Sequence, residues 1–89
     1  MPRAEISWKR RTPDGDTVRI YAQHFGDQWS FFVRDARYEK REPLEQPPLE
    51  DWLELLDAVR RRVGRGLLRP EEIRRVEASI RERFPGAEL

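Results

Sequence analysis

The chain contains no cysteine, which removes disulfide staples, thiolate metal ligands and thiol nucleophiles together. Histidine occurs once, at His24, so a histidine-rich metal site and a two-histidine acid/base pair are excluded as well. No apolar run approaches the length of a bilayer-spanning helix, and the start, Met1-Pro2-Arg3-Ala4-Glu5, lacks the apolar stretch of a secretion signal. These features lead us to expect a soluble protein of the cytoplasm that does not enter membranes. Glycine-rich phosphate loops and the G-x-G-x-x-G pattern are also missing, since Gly64-Arg65-Gly66 follows a helical pattern instead of joining a strand to a helix. Nor is there an excess of one charge. The 18 basic and 17 acidic side chains leave a formal +1, which argues against a whole surface built to trap polyanions but leaves room for a local basic patch.

What is present is enough for one hydrophobic core. The 89 residues are 37% hydrophobic, and a chain of this size buries roughly 60 to 65% of its extended surface on folding. We therefore expect a single small α+β domain over residues 1–89. Its pattern begins with period two: Ile6 and Trp8 alternate with Ser7, Lys9 and Arg11, then Val18, Ile20 and Ala22 with Arg19, Tyr21 and Gln23, then Trp29, Phe31 and Val33 with Ser30, Phe32 and Arg34. Turn residues separate the runs at Thr12-Pro13-Asp14-Gly15 and Gly26-Asp27. Strands over Glu5–Arg11, Thr17–Phe25 and Trp29 to about Arg37 follow, as a meander whose first strand lies beside the second or at the opposite edge. The proline-bearing stretch Tyr38 to Pro48 reads as an extended connector.

From Glu50 the period becomes helical. Trp52, Leu55, Leu56, Val59 and Val63 form one stripe, with acids toward its start and arginines toward its end. A second helix is expected from Pro70, with the stripe Ile73, Val76, Ile80 and Phe84, ended by Pro85-Gly86. The expected fold is a three-stranded antiparallel meander packed on two C-terminal helices, a βββαα two-layer sandwich.

Nothing in this pattern assembles a catalytic centre. No nucleophile elbow accompanies Ser7, Ser30 or Ser79, and Glu50, Glu54 and Asp57 share one helical side, the arrangement of a solvated, charge-paired face. We expect no enzyme, no cofactor and no metal. Two surfaces stand out as binding candidates. The first is the outward face of the sheet, where alternation gathers Lys9, Arg11, Arg19, Tyr21, Phe32 and Arg34, with Gln23 beside them. Such a set suits a protein partner or self-association, since Tyr, Phe and Arg concentrate at interfaces. Alternatively it binds nucleic acid, bases stacking on the aromatic rings and phosphates meeting the arginines. Aromatic residues also raise sheet propensity and pair across strands with no ligand at all. The second is the basic patch Arg60, Arg61, Arg62, Arg65 and Arg69, which complements a helix C-terminus and could meet an acidic partner or a nucleic-acid backbone.

Overall fold

Alternating apolar and polar residues produce antiparallel strands when short turns leave only the neighbouring strand to pair with. A computed structural model of the chain describes residues 5–26, 28–35, 37 and 40–89. In it, β1 (Glu5–Arg11), β2 (Thr17–Phe25) and β3 (Gln28–Asp35) form consecutive hairpins. The first turn closes through Gly15, whose amide donates to the Thr12 carbonyl at 2.9 Å with φ at +89°, a conformation an L side chain rarely adopts. Asp27 of the second turn and Tyr38 of the connector lie outside the described residues.

Among the described residues the sheet has four strands, not three. Glu42–Pro43 forms a short edge strand, β4, in the order β1-β2-β3-β4, with Glu42 opposite Val33 and Pro43 opposite Phe32. The Leu44 amide extends the contact, donating to the Phe31 carbonyl at 2.9 Å. Proline cannot donate to a ladder, and that suits an edge strand; the same residue made this stretch read as a connector. The strand order also resolves the position of β1, which pairs with β2 at one edge.

The chain divides into two compact units, Met1–Pro47 and Pro48–Leu89. In the first, Ile6, Ala22 and Phe31 are aligned across three strands, as are Trp8, Ile20 and Val33. Ile6, Ile20, Ala22 and Phe31 are buried, and Trp8 meets the Phe31 ring edge-on at 6.3 Å. In the second unit, α1 (Leu49–Gly64) and α2 (Glu71–Arg83) carry the predicted stripes. Leu55, Val59, Val76 and Ile80 are fully buried. Arg60 of α1 meets Glu77 of α2, while Arg83 near the end of α2 lies over the Trp52 ring near the start of α1, so the helices run back along one another. Between them Gly66, at φ +75°, allows the Leu67 amide to reach the Arg62 carbonyl and its own amide to reach Val63, the paired bonds that end a helix on a left-handed residue. Two charged residues are buried here among the described ones, Asp51 and Glu72; Glu72 accepts a hydrogen bond from Arg75 at 3.0 Å.

Candidate functional site

Side chains of one alternation share a sheet face, and the register decides which of them become neighbours. On the outward face, Lys9, Arg19 and Arg34 stand directly opposite one another on β1, β2 and β3. The adjoining row is Ser7, Tyr21, Phe32 and Pro43, and beyond it lie Glu5, Gln23 and Ser30. On the other side Arg11 faces Thr17. The structure thus brings the six predicted residues onto one surface and sorts them, with three cations in a row, two aromatic rings in the next, and Arg11 a row away.

The aromatic row does not have the openness the sequence implied. Tyr21 is only 7% exposed, and the guanidinium of Arg41 lies over its ring, 3.6 Å from the centroid. Arg41 is held there by an ion pair with Glu5, whose carboxylate also accepts a hydrogen bond from Gln23 at 3.3 Å. Those hydrogen bonds, with Gln23 contributing most and Arg41 next, hold the Glu5 carboxyl below its ordinary pKa. Phe32 is half-buried beside the β4 position of Pro43. The ring faces that a stacked base would need are therefore partly occupied by the protein itself. Arg41 is the site residue that sequence reasoning missed; it lies in the proline-bearing stretch, where no alternation assigns a side chain to a face.

The cationic row borders a hollow of about 290 Å³, lined by Lys9, Thr17, Val18, Arg19, Tyr21 and Arg34. Lys9 and Arg34 are exposed and Arg19 is half-buried, donating to the Ser7 hydroxyl at 3.2 Å. Among the described residues no carboxylate pairs with Lys9 or Arg19. Arg37, near the end of the same hairpin, behaves differently: it lies between Asp16 and Asp35 at 3.4 and 3.2 Å, and its hydrogen bonds hold the Asp35 carboxyl below its usual pKa.

The second patch is partly consumed by pairing, at two of its five residues. Arg60 meets Glu77 and Arg61 meets Asp57, each at 3.0 Å. Arg61, Arg62 and Arg65 with Ala58 border a smaller hollow of about 210 Å³ at the α1 C-terminus, where cations complement the helix dipole. Arg69 is exposed in the interhelical turn and does not line it. His24 is half-buried with its ring 4.8 Å from that of Trp29. Among the described residues no group of three or more His, Asp or Glu could hold a metal ion, and no helix is long and apolar enough to cross a membrane. No family model, curated protein or solved structure matches the chain.

Proposed function

We propose that the chain is a non-catalytic interaction module that engages an acidic segment of a protein partner through the outward face of its sheet. The observation that carries this reading is the row Lys9, Arg19 and Arg34, three like charges directly opposite one another beside a hollow. Like charges at facing sheet positions are destabilising, and among the described residues no carboxylate pairs with Lys9 or Arg19, whereas a bound anion would offset the repulsion. Edge strand β1 lends support, because an exposed strand carrying Lys9, Arg10 and Arg11 can steer an acidic segment toward the face by charge. The coverage of Tyr21 by Arg41 weighs against nucleic acid as the partner, since single-strand binders draw much of their affinity from bases stacked on open rings.

The test is an amide chemical-shift titration of the full chain with a short oligoglutamate peptide, in parallel with an oligothymidine of similar charge. The reading expects the peptide to move the amides of Lys9, Thr17, Arg19 and Arg34, with the effect weakening as salt rises. A response to oligothymidine at much lower concentration would transfer the face to nucleic acid, and silence toward both would remove it as a binding site.

A further inference from the structure

Resting on that reading and deepening it, we infer that the hollow beside Lys9, Arg19 and Arg34 is a receptor for a phosphorylated side chain of the partner. The argument begins with the convergence of charge. Adjacent strands lie about 4.8 Å apart, so the three residues' backbones span only about 10 Å, and their side chains rise from the same face around one concavity. A carboxylate offers two oxygens and a single charge, which Lys9 and Arg19 together already exceed. A phosphomonoester carries close to two charges and three strong acceptor oxygens, and arginine matches it with a planar fork of donors.

The surroundings fit the same ligand. Thr17 lines the same hollow of about 290 Å³, and a threonine hydroxyl can donate to the third oxygen. Arg19 is half-buried and oriented through its bond to Ser7, so less freedom is lost when it engages an anion. Arg34 takes part in an interaction of its own, so Lys9 and Arg19 are the residues on which the test turns. The geometry also separates a phosphorylated side chain from a nucleic-acid strand. A strand carries single charges spaced along its length and calls for cations strung out in a track, while here the cations are massed at one point and the neighbouring Tyr21 ring is capped.

The experiment titrates the full chain with a phosphoserine peptide flanked by glutamates, with its unphosphorylated twin, and with oligothymidine, all at one ionic strength. The phosphopeptide is expected to bind about tenfold or more tightly than its twin, moving the amides around Lys9, Thr17 and Arg19. Arg19→Gln should abolish most of that preference. Lys9→Gln, an exposed change, should reduce it and supplies the answer if Arg19→Gln proves misfolded by its amide spectrum. Equal binding of the two peptides at this face would overturn the phosphate receptor and leave the acidic-partner reading standing. Oligothymidine binding more tightly than either peptide, or no binding by any of the three, would overturn both.

Discussion

The arginine pairs of the helical unit and the cationic row of the sheet unit are built in different ways. In the helical unit Arg60, Arg61 and Arg75 each meet a carboxylate at 3.0 Å. On the outward face of the sheet, Lys9, Arg19 and Arg34 meet one another across three strands. Both units are rich in arginine, so composition does not distinguish them; the arrangement does. A helix offers partners three or four residues along its own sequence, as Asp57 does for Arg61 and Glu72 for Arg75, while Arg60 reaches Glu77 on the other helix. A sheet offers partners only through register, and here the register aligns three cations. What this teaches is that a basic patch takes its meaning from where register gathers the cations left without a carboxylate among the described residues, here Lys9 and Arg19, not from its count of charges.

The largest effect is expected where charge matters least. Trp52→Ala should cost the helical unit about 3 to 5 kcal/mol, because the side chain is almost fully buried and also carries Arg83 over its ring. A urea melt that shows a loss below about 1 kcal/mol would contradict its place in the core. The comparison of charges comes next in size. Glu77→Gln removes the partner of Arg60 and should cost at most about 1 kcal/mol. Arg19→Gln removes a cation from the row and should cost less than that, or raise stability, provided the lost bond to Ser7 does not outweigh the relieved repulsion. Similar losses in both variants would erase the distinction between the two units.

The smallest effect concerns the cover on Tyr21. Glu5 has a lower pKa folded than unfolded, so its contribution to stability is present above the unfolded value and is lost as pH falls through the folded one. Acidification below the ordinary carboxylate range should therefore loosen Arg41 from Glu5 and expose the Tyr21 ring, while Glu5→Gln should produce part of that exposure at neutral pH. Ring-proton shifts of Tyr21 followed against pH check this. A ring environment unchanged down to the pH at which the sheet itself unfolds would show that the stacking of Arg41 needs no carboxylate.

Much of the fold was legible because its signals are local. Alternation and turn residues determined the bounds of β1 and β2, and the helical stripes predicted Leu55, Val59, Val76 and Ile80 as core. The outward face was legible for the same reason, down to the six residues that share it. What stayed hidden depends on distant pairing. β4 is two residues long, too short to display a period, and its proline masked it. Arg41, twenty positions along the chain, lies over the buried Tyr21 ring, which alternation alone assigns to solvent. Asp51 and Glu72 sit in the acidic first turns expected of helices, and no sequence pattern distinguishes a buried first-turn acid from a solvated one.

The most direct test of the cationic row is the double variant Lys9→Gln/Arg19→Gln, followed by thermal melting and by titration with the phosphoserine peptide. Stability equal to or above that of the parent, together with loss of the peptide's response at Thr17 and Arg34, is the predicted result. A marked fall in stability with peptide binding unchanged would mean that the row serves the fold and that no anion is received there.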